Sequence, residues 1–219
     1  AVGDPQIKLA DGTVTKTPGI AKVTDLVNMG STQPLVSGGF SNNFRYKRFN
    51  LGVNMVYNFA FVLRRDVNDF FTGRMMTRNY ISGNLHEDFQ YRWKQAGDEA
   101  FTNIPAYDPA ADRASRTDLN YYTAADINVI KGDYIKLRDI TLAYDMPAGI
   151  VNRIRASAIT FRVQMNNIML WKANKYDIDP EFYSGMGVIN SNTTSGYVNG
   201  MRNVPFNQHS FTIGAHVTF

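Results

Sequence analysis

Hydrophobic and polar residues alternate along several long stretches of this chain. In residues 208–219 every second side chain from Phe211 to Phe219 is apolar, and those between are small or polar. A period of two predicts a β-strand with one apolar and one polar face. Strands of soluble proteins are usually about 5–6 residues long, whereas a tilted membrane-spanning strand needs about 9–11. The length therefore favours a barrel strand whose apolar side faces lipid.

The same alternation predicts a hairpin earlier in the chain. Strands over 35–46 and 49–61 are separated only by Lys47 and Arg48. Two long strands joined by about two residues are typical of a β-hairpin.

Two further strands are predicted over residues 134–145 and 158–170. In the first, the apolar parity changes after Leu137 and resumes at Ile140, which predicts a β-bulge near Arg138 and Asp139. The second is followed by Trp171, which suits an aromatic belt at a membrane interface.

The connections alternate between short and long. Residues 1–34 are interpreted as a loop with a short strand near 21–27, residues 62–133 and 172–207 as long loops, and residues 148–155 as one or two helical turns. Loops beyond about 12–15 residues are uncommon in compact domains but ordinary on the outer side of membrane barrels. We therefore expect the three long segments to be extracellular and the carboxy-terminus to be periplasmic.

Five strands are too few to close a barrel, since about eight is the usual minimum. An open sheet in lipid would leave two edges unpaired, at a prohibitive cost. The expected fold class is all-β, and we expect this chain to be part of a larger antiparallel transmembrane β-barrel.

Composition excludes several other classes. The net charge of +4 is scattered without a long basic run, which argues against nucleic-acid binding. Cysteine is absent, so neither a disulfide framework nor a thiolate metal site is expected. No stretch approaches about 18 apolar residues, which excludes a transmembrane helix.

No catalytic or metal-binding constellation is found in the sequence. His86, His209 and His216 lack the spacing of metal ligands. Asp179 and Glu181, with Asp177, lack the twelve-residue calcium-loop pattern, and turn chemistry around Pro180 is the preferred interpretation. We expect no metal, no cofactor and no enzymatic activity.

Several separate motifs resemble one protein family. They are GSTQP at 30–34, GGFSN at 38–42, YKRF at 46–49, RWK at 92–94, GDE at 97–99, IP at 104–105, DYIKLRDITLAY at 133–144 with MP at 146–147, NNI at 166–168, YDIDPE at 176–181 and the final Phe219. In this order they resemble the carboxy-terminal part of a SusC-like, TonB-dependent outer-membrane transporter of the Bacteroidetes type. Ala143 departs from the glycine that the family usually has there.

The resemblance implies a barrel of about 22 strands, of which this chain supplies the last ones. It implies import of large nutrients, glycan or peptide, with a SusD-like lipoprotein as lid. The other implied partners are the rest of the barrel and the plug, outer-membrane lipid, and TonB. TonB would act through the missing amino-terminal part. One alternative is a soluble all-β carbohydrate-binding module, which predicts shorter strands around a shared core. A glycan-cleaving enzyme would need a carboxylate pair that the sequence does not single out.

Strand parity divides the side chains between two environments. The residues expected to face lipid are Leu51, Val53, Met55, Tyr57, Phe161, Val163, Phe211, Ile213 and Val217. Those expected to face the lumen or plug are Asn50, Asn54, Asn58, Arg162, Gln164, Asn166, Ser210, Thr212 and His216.

The long loops carry candidate contacts to a ligand or lid. They are Trp93, Tyr107, Tyr121, Tyr122, Phe182 and Tyr183. For any single one, packing within its loop is the favoured interpretation. The resemblance also implies that Phe219 is a signal for barrel assembly, with a role as an interfacial aromatic as the alternative.

Overall fold

The structure, a computed structural model, describes residues 3–65, 87–106, 122, 124–176, 178–182 and 209–219. The strands of this part are β1 Ile7–Lys8, β2 Val14–Thr15, β3 Val36–Tyr46, β4 Phe49–Phe59, β5 Val62–Arg64, β6 Val129–Lys131, β7 Tyr134–Asp145, β8 Ala158–Lys172 and β9 Ser210–Thr218. The long ones, β3, β4, β7, β8 and β9, lie within stretches where the sequence shows a period of two.

These five long strands form one antiparallel sheet in the order β3-β4-β7-β8-β9. They contain 11, 11, 12, 15 and 9 residues, well above the usual length of about 5–6 in soluble proteins. The all-β class is confirmed. The last strand, β9, pairs antiparallel with β8, the strand that begins at Ala158.

The hairpin between β3 and β4 turns at Lys47 and Arg48. Tyr46 pairs with Phe49, and Lys47 adopts a left-handed backbone with φ 54°. From this turn the register runs without interruption to the pair Val36 and Phe59. The predicted hairpin is therefore present.

The predicted β-bulge is confirmed in β7. Leu137 pairs with Met55 and Asp139 pairs with Asn54, so Arg138 has no partner on β4. Because the extra residue shifts the parity, Lys136, Arg138 and Asp139 all point to the polar face. Leu137 and Ile140 remain together on the apolar face. The change of phase in the sequence thus keeps the two faces chemically distinct.

The register assigns every residue of the five strands to one of the two faces. Cross-strand partners share a face, so the apolar residues of β4 align with those of both neighbours. The apolar row runs across the sheet through Phe44, Leu51, Leu142, Val163 and Ile213. The polar row beside it runs through Asn43, Gly52, Thr141, Gln164 and Thr212.

The segment between β7 and β8 forms the expected helical turns. An α-helix spans Ala148–Val151 and a 3-10 helix spans Asn152–Ile154. Val151 is buried with Ala156 and Ile159, and Met146 packs against them. This small cluster closes the short connection at one end of the sheet.

The strand expected near residues 21–27 is absent, and that prediction is wrong. A 3-10 helix occupies Val23–Asp25 instead. The Asp25 carboxylate accepts hydrogen bonds from the backbone N–H of Lys22 at 2.7 Å and of Ala10 at 2.8 Å. These bonds draw the chain into a turn, and a side chain that bonds nearby backbone in this way competes with strand formation.

The chain divides into two compact units. One contains the five-stranded sheet and residues 173–182, and the other contains residues 3–29 with the described part of 64–130. In the second unit, Tyr122 is buried against Phe89 and Ile104. Arg65 and Asp88 form a buried ion pair in the same unit. Among the described residues, no helix is long and apolar enough to cross a membrane.

Deletion of the bulge residue tests this account of β7. Removing Arg138 leaves all remaining apolar residues of the strand on their face, so we expect the complete protein still to assemble. Removing Thr141 instead would reverse Leu142 and Tyr144 relative to Leu137 and Ile140, and we expect the folded yield to collapse. The measurement is the amount of protein that keeps its β-structure in detergent when the sample is not heated. Equal yields of the two deletions would contradict the assignment of faces.

Candidate functional site

The polar face of the sheet is organised by hydrogen bonds between strands. Asn54 lies at the centre of one such network: its amide nitrogen donates to both oxygens of the Asp139 carboxylate, at 3.0 and 2.9 Å. Ser41 donates its hydroxyl to the Asn54 side-chain oxygen at 2.5 Å. Three adjacent strands are thereby connected by side chains as well as by backbone.

Other predicted lumen-facing residues make similar contacts on this face. Asn58 donates to the Tyr134 hydroxyl at 2.5 Å, and Asn50 donates to Asp145 at 3.3 Å. Further along, Gln164 donates to Asn166 at 2.6 Å, and Asn166 donates to the Ser210 hydroxyl at 2.9 Å. The structure thus brings the predicted polar set together on one face; that this face borders a lumen stays a prediction.

A hollow of about 590 Å³ lies over the polar face. Small residues form its floor, among them Gly52, Ala143 and Gly214, and Arg162 and His216 also line it. A Cβ added at Gly52 would lie 2.9 Å from the Asn43 side-chain oxygen, so a larger residue would displace that amide.

A buried cluster of charges lies on the polar face where β7 meets the 173–182 segment. Lys136 is 1% exposed, and its ammonium contacts Asp179 at 2.8 Å and Glu181 at 2.7 Å. Glu181 also forms an ion pair with Arg138. Two cations from β7 are therefore matched by two carboxylates from the segment after β8.

Sequence analysis did not find this cluster. Turn chemistry is present as expected, since the Glu181 N–H donates to Asp179 Oδ1 at 3.0 Å. The ion pairs were missed because their partners lie more than 40 residues apart, as in the 43-residue separation of Lys136 and Asp179. The bulge and the acidic motif were each visible in the sequence, but nothing in it paired them.

Trp93 occupies an ordered turn in the unit that contains residues 3–29. Its indole N–H donates to Glu99 at 3.0 Å, and its backbone N–H donates to the Ile104 carbonyl at 3.0 Å. The Asp98 carboxylate accepts from the backbone N–H of Lys94 and Gln95, at 2.9 and 3.0 Å. These bonds fix the half-buried indole ring in one orientation.

A cavity of about 560 Å³ lies beside this ring. Trp93, Ile104 and Pro105 contribute apolar wall, while Glu99 and Asp126 contribute carboxylates. Tyr122 also lines the cavity but is 4% exposed and packs against its neighbours, as expected of a structural aromatic. Trp93 lines this cavity, and its contact with a ligand stays a prediction.

Most of the other loop candidates fall outside the part of the chain that the structure describes. Tyr107, Tyr121 and Tyr183 lie outside the described residues, and Phe182 ends a 3-10 turn over Pro180–Phe182. His86 lies outside them too. His209 contacts the Asn167 carbonyl at 3.1 Å, and His216 contacts the Thr218 hydroxyl at 3.4 Å. Within the part of the chain that the structure describes, no group of three or more acidic, His or Cys side chains could hold a metal.

Aromatic residues lie at both ends of the apolar face. At one end, Tyr57 stacks on Phe59 with 5.4 Å between ring centroids, and Trp171 meets Phe59 edge-on at 6.2 Å. At the other end, Phe49 lies 4.7 Å from Tyr144. Phe49 and Tyr57 are eight residues apart on β4, which corresponds to about 27 Å along the strand.

Between these aromatic ends the apolar face is mostly aliphatic, although Phe40, Asn42 and Phe211 also lie there. Of the residues expected to face lipid, Leu51, Val53, Met55 and Tyr57 are half-buried by their neighbours on both sides. The others are exposed: Phe161, Val163, Phe211, Ile213 and Val217. Phe219, 83% exposed, follows β9. Contact with lipid, and the role of Phe219 in assembly, stay predictions.

Comparison with known proteins gives a consistent result. The chain is 26% identical over 205 residues to TonB-dependent receptor P26 of Formosa agariphila, an alignment that covers 92% of this chain and 18% of that protein. The resemblance to a SusC-like TonB-dependent transporter is confirmed. No protein-family model matches the chain.

Solved structures share the fold. The RagAB peptide importer in its open-open state matches with a TM-score of 0.52 and 17% identity, over 82% of this chain and 18% of that one. Its closed-closed state matches with a TM-score of 0.50 and 17% identity, over 80% and 18%. The chain thus spans about a fifth of the length of the proteins that it resembles.

The Glu99 carboxylate makes the Trp93 turn sensitive to acid. Hydrogen bonds from the Trp93 indole, the Glu99 backbone N–H and the Gly97 backbone N–H lower the pKa of Glu99 below its usual 4.5. Because the pKa of Glu99 is lower in the folded than in the unfolded chain, its ionised carboxylate stabilises the turn at pH values above the unfolded-state pKa. This stabilisation is lost as the pH falls through the folded-state pKa. We expect the Trp93 fluorescence, taken as the difference from a Trp93→Phe variant, to change in this acidic range. The Glu99→Gln variant should lack that transition, and an unchanged transition in it would contradict the assignment.

Proposed function

We propose that this chain is a section of the wall of an outer-membrane importer for large nutrients. The two-faced sheet carries the proposal: an apolar face bounded by aromatic residues at both ends, opposite a polar face joined by side-chain hydrogen bonds. Membrane barrels present an outward apolar band about 25 Å tall between two aromatic girdles. Phe49 and Phe59, ten residues apart on β4, are separated by about 34 Å along the strand, which corresponds to a height of about 24–28 Å once the strand is tilted by about 35–45°.

The polar face then borders the lumen or a plug inside it. Its amide side chains donate to polar neighbours on the same face: Asn54 to Asp139, Asn58 to Tyr134 and Gln164 to Asn166. The sheet also has two edge strands, β3 and β9, whose outer backbone groups need partners in lipid. The rest of the barrel, carried by a polypeptide several times longer, supplies those partners in this proposal.

The comparisons favour transport over catalysis and suggest the accessory proteins. A TonB-dependent receptor and a peptide importer are the similar proteins, and both are several times longer than this chain. We propose energy input from TonB through the part of the polypeptide that precedes the wall, and a SusD-like lipoprotein as the external lid. The nutrient class is a glycan or a peptide, with the RagAB fold similarity favouring a peptide.

The cavity beside Trp93 is the proposed nutrient contact in the external loops. A fixed indole ring offers a flat apolar surface to a sugar ring or to a peptide side chain. The neighbouring Glu99 and Asp126 carboxylates add hydrogen-bond acceptors at the same cavity. This is the arrangement of apolar wall and few polar groups that binding sites typically have.

Cysteine labelling on β9 tests the wall assignment. The chain has no native cysteine, so single cysteines at neighbouring positions give a clean comparison in the complete protein. We expect Thr212→Cys to react with a water-soluble, membrane-impermeant maleimide and Ile213→Cys to react with a lipid-soluble one. The reverse pattern would place the polar face in lipid. Reaction of both cysteines with the water-soluble reagent would favour a soluble sheet.

A substitution at Trp93 tests the nutrient contact. In the complete importer we expect Trp93→Ala to raise the apparent dissociation constant for the nutrient about 30-fold, the loss typical of an aromatic hot spot of about 2 kcal/mol. Trp93→Phe should retain most of the affinity because it keeps an aromatic surface. Tyr91→Ala is the matched control, since Tyr91 is exposed in the same segment but does not line the cavity. Equal losses from Trp93→Ala and Tyr91→Ala would sink the proposed contact.

A further inference from the structure

The segment that follows β8 folds back over the polar face of the sheet. Its first backbone N–H, from Ala173, donates to the Asp133 carbonyl at 2.9 Å, and the Lys172 ammonium donates to the Tyr176 carbonyl. Asn174, Asp179 and Pro180 are buried. We call residues 173–182 the strap.

The strap is held by ion pairs whose members, apart from the half-exposed Arg138, are largely buried. Lys136 is 1% exposed, Asp179 is 6% exposed and the Glu181 side chain is 14% exposed. Ion pairs between exposed groups contribute little, but removing one member of a buried pair leaves an uncompensated charge and is strongly destabilising. Among the described residues, the Asp179 and Glu181 carboxylates therefore form ion pairs with two cations, Lys136 and Arg138.

The bulge in β7 determines which face the strap covers. Lys136 pairs across the sheet with Val56 and Met169, and its side chain lies on the same face as Asn54 and Asn58. Because its ammonium contacts Asp179 and Glu181, the strap also lies on this polar face. The end of β7 near Lys136 is the end from which the long 172–207 connection leaves the sheet.

We propose that the strap is a fixed part of the pore-facing wall, locked by the Lys136 ion pairs, and that it narrows the passage at the mouth of the importer. This inference rests on the proposed function, since the polar face borders the passage only if the sheet is a barrel wall. Lys136 is a positioning residue: it contacts the strap and not the nutrient.

Asn174 provides a reporter for the state of the strap. It is 7% exposed, and among the described residues neither polar atom of its side-chain amide has a hydrogen-bond partner. Replacing such a group removes no hydrogen bond, so Asn174→Cys should be tolerated. In the complete importer the rate of its reaction with a water-soluble maleimide measures how often the strap lifts.

We expect the Asn174→Cys protein to react slowly, and addition of Lys136→Met to accelerate the reaction severalfold. Lys136→Arg should restore slow labelling because it keeps the charge. As a control, Thr212→Cys on β9 is labelled in the same Lys136 variants. Its labelling rate should not change if the sheet is intact. Should Lys136→Met fail to assemble, Glu181→Gln removes one carboxylate and should give a smaller acceleration.

The same reporter distinguishes a fixed strap from a gate. Labelling of Asn174→Cys in cells should be equally slow with and without nutrient and membrane energy. Faster labelling during import would overturn the fixed strap in favour of a moving gate, and fast labelling at rest would overturn the lock itself. The proposed function fails separately, through the pattern of Thr212→Cys and Ile213→Cys labelling.

Discussion

The separation of apolar and polar side chains onto opposite faces of one long sheet is the constraint on which this structure depends. Antiparallel register transmits the separation from strand to strand, because partners that face each other share a side. A slip of one residue in any strand would place asparagines beside phenylalanines. The side-chain network of Ser41, Asn54 and Asp139 makes such a slip costly, since it would break bonds that span three strands.

The bulge at Arg138 shows how this constraint acts on the sequence. Without it, a strand of strict alternation could not carry Lys136, Arg138 and Asp139 on one face while both Leu137 and Ile140 stay on the other. The extra residue gathers three charged groups within four positions. Lys136 and Arg138 then form ion pairs with the strap, and Asp139 accepts a hydrogen bond from Asn54. The β-bulge therefore positions both the Asp139 carboxylate that bonds to Asn54 and the two cations that bind the strap.

Local patterns predicted the sheet well because strand periodicity and turn residues act over a few positions. The five long strands, the hairpin at Lys47 and the bulge were visible in the sequence for this reason. The strand predicted near residues 21–27 does not form, because the Asp25 carboxylate accepts hydrogen bonds from the backbone N–H groups of Lys22 and Ala10. The pattern of hydrophobic residues does not predict this side-chain effect. The pairing of Lys136 with Asp179 and Glu181 was beyond prediction, because it depends on how a long connection returns to the sheet. Trp93 could be nominated as an aromatic in a loop, but its bond to Glu99 and the adjacent cavity required coordinates.

The buried charges also bear on whether the polar face of the sheet lies against water or lipid. A lysine that is 1% exposed keeps its charge only where carboxylates and hydrogen bonds replace water, and two carboxylates meet Lys136 at 2.7–2.8 Å. Placing that cluster on the lipid side would add the cost of removing the half-exposed Arg138 from water. On the polar side, Arg138 stays hydrated while Glu181 bridges it to Lys136. The buried charges therefore agree with the proposal that the face carrying the strap is the wet one and that the aromatic-bounded face opposite it meets lipid.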